Sequence, residues 1–180
     1  MNGALGLGLC VETRTSVSVC YELPPMDVEI LRKVALFEGM TSAQLRKLAA
    51  ALGESRFPGS SHIFKEGSAG TSMFIIVEGK VRISKMVPGI GEEALAILER
   101  GQYFGEMSLI EEGPRSADAI AHTTCLLYEL SREKLDEVMF TDKELASTLL
   151  WTFVRTLSSR LRETNDKIRA FFALSSFGPR

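Results

Sequence analysis

The apolar positions of this chain follow three successive patterns, and each predicts a different kind of structure. Between residues 26 and 52 they recur every three or four positions, the period of one helix face. Two helices are predicted here. The first ends at Gly39, and the second opens at Thr41, whose spacing from Gln44 matches a capping box, and ends at Gly53. Their apolar faces comprise Ile30, Leu31, Val34 and Phe37, followed by Leu45, Leu48, Ala49 and Leu52.

From about residue 56 to residue 131, short apolar or alternating runs are separated by glycines, a pattern typical of β-strands joined by turns. Strands are predicted at residues 55–57, 62–65, 73–78, 81–86, 94–98, 117–121 and 125–130. Short strands at this spacing favour a jelly roll or a related small β-barrel. With the helices on either side, the predicted fold class is α+β, mainly β.

The helical period returns after Ser131, a candidate N-cap. A short helix is predicted over Leu135, Val138 and Met139, and Thr141 and Asp142 begin a long one. One stripe of the long helix is predicted to face the β region and consists of Leu145, Leu149 and Phe153. A neighbouring heptad-like seam consists of Leu150, Val154, Leu157, Leu161, Thr164, Ile168 and Phe171. Such a seam predicts a second helix alongside, most simply in a twofold homodimer. The alternative is a helix that folds back on its own domain.

A chain of 180 residues is long enough for one domain with extensions. We expect a flexible arm at residues 1–25, one domain over residues 26–140, and the long helix with its tail over residues 141–180. The net charge of −2 does not suggest a nucleic-acid-binding surface, and no apolar run is long enough to span a membrane. The scattered cysteines Cys10, Cys20 and Cys125 suit a reducing cytoplasm better than a disulfide framework or a zinc site. These features predict a cytoplasmic protein without direct DNA or membrane binding.

The candidate chemistry is concentrated at residues 101–117. Gly105 would allow the backbone to approach a ligand closely, and residues 106–109 resemble one helical turn whose free N–H groups favour an anion. Arg115, stiffened by Pro114, supplies a planar guanidinium suited to two oxygens of a phosphate. The Glu106 carboxylate would repel a second phosphate oxygen and would instead accept a hydrogen bond from a ligand hydroxyl. The pattern therefore predicts a site for a phosphate with an adjacent hydroxyl, as in a ribose cyclic phosphate.

This stretch resembles the phosphate-binding cassette of the cyclic-nucleotide-binding domain family, which reads Phe-Gly-Glu, a small apolar run, then Pro-Arg-Ser or Pro-Arg-Ala and a further Ala. The matching residues are Phe104, Gly105, Glu106, Met107, Ser108, Leu109, Pro114, Arg115, Ser116 and Ala117. The likeness extends over about residues 27–170 and implies a β-roll (a double-stranded β-helix or jelly roll) with N-terminal helices and a long C-terminal helix. It also implies that Glu106 holds the ribose 2′-hydroxyl, that Arg115 holds the cyclic phosphate, and that backbone amides near residues 105–108 complete the cradle.

The long helix is similar to the central helix of the bacterial catabolite activators within that family. In those proteins a Thr-Ser pair reaches the adenine amino group of cyclic AMP, the Ser from across the dimer axis. Thr164 and Asn165 stand at the matching places, with Asn replacing Ser. The resemblance implies a regulatory domain that binds cyclic AMP and signals through this helix to a downstream protein. Cyclic GMP is the alternative ligand, because hydrogen-bonding groups alone do not discriminate. Since the sequence ends at Arg180, we expect no helix-turn-helix domain.

The sequence also bears on two other classes of protein. Cupin-like jelly-roll enzymes bind metal through clustered His and Glu, but this chain has only His62 and His122, about sixty residues apart. No nucleophile with a nearby base and no pair of catalytic carboxylates can be found in the sequence, so neither catalysis nor a metal is expected. An interaction module of the same fold that binds no nucleotide remains an alternative.

Overall fold

The computed structural model describes residues 28–111 and 113–175. The predicted arm at residues 1–25, with Cys10 and Cys20, lies outside these residues. The helical elements are α1 (Val28–Arg32), a 3-10 turn (Ala35–Phe37), α2 (Ser42–Ala51), α3 (Met107–Ile110), α4 (Arg132–Thr141) and α5 (Lys143–Ser175). The strands are β1 (Gly53–Phe57), β2 (His62–Phe64), β3 (Ser72–Glu78), β4 (Val81–Val87), β5 (Gly91–Leu98), β6 (Tyr103–Phe104), β7 (Asp118–Ala121) and β8 (Cys125–Ser131).

The eight described strands form two four-stranded antiparallel sheets, with the orders β1-β8-β3-β6 and β2-β7-β4-β5. The predicted β-roll with flanking helices is confirmed. All seven predicted strands are present, with ends that differ by up to three residues. β6 was missed because two residues are too few to show a period of two. Helices make up a larger part of the structure than the predicted mainly-β fold class implies, because α5 alone has 33 residues.

The two sheets and the helices enclose two hydrophobic cores that share β3. Alternate side chains of a strand point to opposite faces. Accordingly Met73 and Ile75 pack with the helices, whereas Phe74 and Ile76 pack between the sheets. This burial on both faces accounts for the nearly continuous apolar run of β3, in which six of seven residues are buried.

The first predicted helix is broken, which corrects the sequence-based boundary. α1 stops at Arg32, and Val34 adopts an extended conformation before the 3-10 turn. The break allows Leu36 and Phe37, neighbours in sequence, both to be buried. The second helix begins as predicted, with the Thr41 hydroxyl accepting a hydrogen bond from the amide of Gln44 at 3.3 Å and the Gln44 side chain completing the capping box.

The long helix α5 has a short buried apolar stripe near its start and a longer exposed one that extends to Ile168. Leu145, Leu149 and Phe153 are buried in the helical core, as predicted. The exposed stripe, as far as its side chains are described, consists of Leu150, Val154, Leu157, Leu161 and Ile168, each between 38% and 62% exposed. The described side chains from residue 157 to residue 173 are all exposed, although this part of α5 reaches the β-roll through Arg160. None of the described helices is apolar over a length that would cross a lipid bilayer.

Candidate functional site

The cassette between β6 and β7 forms one wall of a cavity of about 540 Å³, the main cavity. α5 passes over it and supplies Arg160, Glu163, Thr164 and Lys167 to the lining. The cassette residues predicted to bind a ligand all line it: Phe104, Gly105, Glu106, Met107, Ser108, Arg115, Ser116 and Ala117. Of the two predicted base contacts, Thr164 lines the cavity, whereas Asn165 does not and is exposed to solvent.

Arg115 is 6% exposed and is held by backbone and side-chain oxygens of β3 and of the cassette itself. Its Nη1 donates to the carbonyls of Ser72 at 2.7 Å and Gly105 at 3.2 Å, and to the hydroxyl of Ser108 at 3.2 Å. The guanidinium carbon lies 4.1 Å from the centre of the Phe64 ring, a cation–π arrangement. These contacts fix the plane of the guanidinium at the cavity wall.

The charge of Arg115 is costly to bury and is only partly compensated. Burial lowers the pKa of Arg115, and the carboxylate of Glu129 opposes the shift, but arginine starts so high that it stays charged. Nε finds no hydrogen-bond partner among the described residues, and Nη2 reaches only the Ser72 hydroxyl, at 3.5 Å. A buried cation with unused donors favours an anionic ligand beside it.

Two glycines give Arg115 the space it occupies. A Cβ on Gly70 would lie 2.4 Å from the Ser108 hydroxyl oxygen and 2.5 Å from Nε of Arg115. A Cβ on Gly105, whose φ is +77°, would lie 2.7 Å from Nη1. The role of Gly105 was predicted, but Gly70 was interpreted only as a turn residue. No local signal distinguishes it from the other turn glycines.

Glu106 is 4% exposed and its carboxylate is bonded to the guanidinium of Arg160 on α5. Arg160 also lies over the ring of Tyr103, with its guanidinium carbon 5.2 Å from the ring centre. No role for Arg160 was predicted from the sequence. The signal that could have found it is its position one helical turn before Thr164, whose hydroxyl donates to the Arg160 carbonyl at 2.8 Å.

Arg132, the first residue of α4, connects the cassette to the C-terminal helices. Its Nη2 donates to the carbonyls of Ser108 and Glu111, at 2.5 Å each, where α3 ends. Its backbone amide donates to the carbonyl of Thr71 at 2.7 Å. A cation at a helix C-terminus satisfies free carbonyls and the helix dipole, so Arg132 stabilises α3 from α4.

The remaining cassette side chains have simpler environments. The Ser116 hydroxyl is exposed and lies 3.9 Å from the sulfur of Met107. Ala117 is buried beside Arg115, and Phe104 stacks on Phe74 within the roll, with 5.5 Å between ring centres. No group of three or more metal-ligating side chains occurs in the described parts of the chain.

Comparison with known proteins gives consistent matches to this arrangement. The family model described as "Cyclic nucleotide-binding domain" matches residues 54–142. A "CRP-like cAMP-activated global transcriptional regulator" of Mycobacterium tuberculosis is 31% identical over 140 residues, which cover 78% of this chain and 61% of the regulator. A cGMP-dependent protein kinase of Toxoplasma gondii is 35% identical over 111 residues, 62% of this chain and 11% of the kinase.

Among solved structures, the N-terminal domain of a transcriptional regulator from Streptomyces coelicolor A3(2) superposes with a TM-score of 0.68. It is 32% identical in sequence, and the match covers 77% of this chain and 94% of that domain. This chain therefore matches nearly the whole N-terminal domain of the Streptomyces regulator, but only 61% of the length of the mycobacterial regulator.

Proposed function

Because the chain belongs to the cyclic nucleotide-binding domain family, we propose that it binds cyclic AMP in the main cavity and transmits binding through α5. One observation carries this proposal: a buried cation, Arg115, and a buried carboxylate, Glu106, line the same cavity. A cyclic nucleotide presents an anionic phosphate and a ribose hydroxyl side by side, and the volume of about 540 Å³ lies in the range of small-molecule sites.

The proposed roles follow from the chemistry of each group. Arg115 binds the cyclic phosphate with its guanidinium, and the amides near Gly105 add further hydrogen bonds. Glu106 accepts a hydrogen bond from the ribose 2′-hydroxyl. Ser116 binds the phosphate with its exposed hydroxyl, while Ser108 keeps Arg115 in position. Phe104, Met107 and Ala117 complete the wall of the cavity around the sugar and phosphate.

The base is proposed to face α5. Thr164 is the polar side chain of α5 that we assign to the adenine, and Asn165 is assigned to the nucleotide of a second copy of the chain. The exposed stripe supports a homodimer through α5, because apolar side chains repeating at heptad spacing on a helix pair with a second helix. We assign cyclic AMP because the mycobacterial relative, named as cAMP-activated, is 31% identical over 78% of this chain. Kinases named as cGMP-dependent are matched at 35% identity over 62% of the chain and at 26% identity over 82% of it, so cyclic GMP is the alternative ligand.

Transmission is proposed to begin at the bond between Glu106 and Arg160. A ribose hydroxyl that bonds to Glu106 changes the environment of Arg160, and therefore of α5. The nucleotide would in this way shift the balance between two positions of α5 and alter the surface offered to a downstream protein. This makes the domain a regulatory module and not a catalyst.

Calorimetric titration with cyclic AMP and cyclic GMP tests the proposal, using the wild type and Arg115→Ala. We expect saturable binding that is tighter for cyclic AMP, and a loss of about 2–5 kcal/mol in Arg115→Ala, because this variant removes the cation that the buried phosphate requires. Circular dichroism and thermal melting establish that the variant is folded. Arg115→Lys supplies a second test, since a folded lysine variant should also bind weakly without the planar, two-pronged contact. Absence of binding to either nucleotide by the folded wild type would favour the interaction module.

A further inference from the structure

A second cavity of about 570 Å³, which we call the side cavity, lies beside the main one. Its walls come from the 3-10 turn, from the turn between β5 and β6, and from the face of α5 that carries Thr152, Thr156 and Ser159. Five residues line both cavities and so stand between them: Leu98, Gln102, Tyr103, Arg160 and Glu163. The nucleotide-binding roles proposed above leave the rest of the side cavity without a function.

The phenol of Tyr103 is the first sign of a ligand there. Tyr103 is 6% exposed, and its hydroxyl forms no hydrogen bond of normal geometry with the described residues. Thr156, which lines only the side cavity, is close enough to influence the phenol but does not complete such a bond. Burial raises the pKa of Tyr103, so its hydroxyl remains a donor at neutral pH. A buried hydroxyl without a hydrogen bond of normal geometry is unfavourable. Because its oxygen is closed to solvent beside Thr156, a ligand acceptor satisfies it only after Tyr103 or Thr156 moves toward the side cavity.

Two basic side chains are the second sign. Lys33, just after α1, and Arg155, on α5, both line the side cavity. Neither forms an ion pair with a carboxylate within residues 28–111 and 113–175, unlike most of the lysines and arginines of the β-roll. They can therefore bind the oxygens of a phosphate without first breaking an ion pair.

The acidic residues of the side cavity narrow the class of ligand. Glu38 and Glu163 line it too, and Glu163 accepts a hydrogen bond from the Ser159 hydroxyl at 3.4 Å. Carboxylates would repel a compact polyanion but can accept hydrogen bonds from hydroxyl groups. The cavity therefore suits a molecule with one phosphate and several hydroxyls.

We propose that the side cavity binds a small phosphorylated sugar or polyol, with Lys33 and Arg155 on the phosphate and Tyr103, Glu38 and Glu163 on the hydroxyls. The ligand acts on the main cavity through Arg160. An anion in the side cavity attracts the Arg160 guanidinium away from Glu106, which leaves Glu106 free to accept from a ribose hydroxyl. The two ligands then strengthen each other's binding by the same factor, as thermodynamic linkage requires. This coupling, but not the side cavity itself, rests on the function proposed for the main cavity.

Ribose 5-phosphate is a suitable probe, with ribose and inorganic phosphate as partial probes. In calorimetric titrations of the full chain we expect saturable binding of ribose 5-phosphate and at least tenfold weaker binding of either fragment. Arg155→Ala and Lys33→Ala should each weaken binding of the probe at least tenfold, and Tyr103→Phe should weaken it several-fold. Arg162→Ala is the matched control, because Arg162 is an exposed arginine of the same helix that lines neither cavity.

Arg115→Ala separates the two sites, since Arg115 lines only the main cavity. This variant should no longer bind cyclic AMP but should still bind ribose 5-phosphate. If the wild type binds the probe but no cyclic nucleotide, the proposal for the side cavity is supported and the function proposed for the main cavity is refuted. The site is refuted if the probe does not bind, if Arg155→Ala and Arg162→Ala bind it equally, or if cyclic AMP displaces it competitively. The coupling is refuted if saturating probe leaves the affinity for cyclic AMP unchanged.

Discussion

The carboxylate of Glu106 is bonded to the guanidinium of Arg160, which lies 54 residues later in the chain. The two partners differ in exposure: the Glu106 side chain is 6% exposed and that of Arg160 is 44% exposed. Arg160 can therefore move into water more easily than Glu106 can. Under the proposed function, a ligand hydroxyl that binds the carboxylate would release Arg160, and α5 would be the partner that moves.

Glu106→Gln should remove the preference for a ribose 2′-hydroxyl. The neutral amide loses both the ion pair with Arg160 and the charge-assisted hydrogen bond to the hydroxyl, which is worth about 1.5–3 kcal/mol. The affinity ratio between cyclic AMP and its 2′-deoxy analogue should fall by roughly tenfold or more. Competition binding measures this ratio, and Glu111→Gln, an exposed carboxylate of the same cavity, should keep it. An unchanged ratio in Glu106→Gln would remove Glu106 from ribose recognition.

Gly70→Ala should damage the site without any change to a ligand-binding side chain. The added methyl would lie 2.4 Å from the Ser108 hydroxyl oxygen and 2.5 Å from Nε of Arg115, so one of them must move. Overpacking of this kind typically costs about 1–3 kcal/mol. We expect cyclic AMP affinity to fall at least roughly tenfold in calorimetry. Gly113→Ala is the control, because a Cβ there has no atom within 4 Å. Equal affinity in the two variants would contradict the proposed packing.

Arg132→Ala should destabilise the cassette. It removes two charge-assisted hydrogen bonds to the carbonyls of Ser108 and Glu111, and we expect a loss of about 1.5–3 kcal/mol in the free energy of unfolding. Urea denaturation measures the loss. Arg56→Ala, which removes only a surface pair with Glu54, should cost no more than about 1 kcal/mol. Similar values for both variants would mean that the link between α3 and α4 contributes little.

Charges in the exposed stripe of α5 should prevent dimer formation. The double variant Leu157→Glu, Leu161→Glu places two carboxylates where apolar side chains would meet those of a second helix. We expect the wild type to sediment as a dimer and the variant as a monomer with unchanged circular dichroism. Arg162→Glu adds a carboxylate to the same helix, about 100° around the axis from Leu161, and should remain dimeric. A monomeric wild type would exclude the α5 dimer at the concentrations tested.

The sequence predicted the features that depend on residues close together in the chain. The strands, the capping box at Thr41 and the two stripes of α5 follow from periodicity, and the cassette is a contiguous motif. The contacts that the sequence did not predict join distant segments: Arg160 with Glu106, Gly70 with Arg115, and Arg132 with the end of α3. They depend on how the roll closes and on the path of α5, which no short window of sequence encodes.

The pairing of β1 with β8 has a consequence for the order of synthesis. β1 has β8 as its neighbour in the sheet, with Gly53 opposite Glu129 and Phe57 opposite Cys125. β3 pairs with the same strand, so the sheet that supports the cassette lacks its central member until residue 131 has been made. A nascent chain that ends earlier lacks the strand that joins β1 to β3. The domain can therefore respond to a ligand only after β8 has left the ribosome, and long-range strand pairing of this kind makes that step slow compared with helix formation.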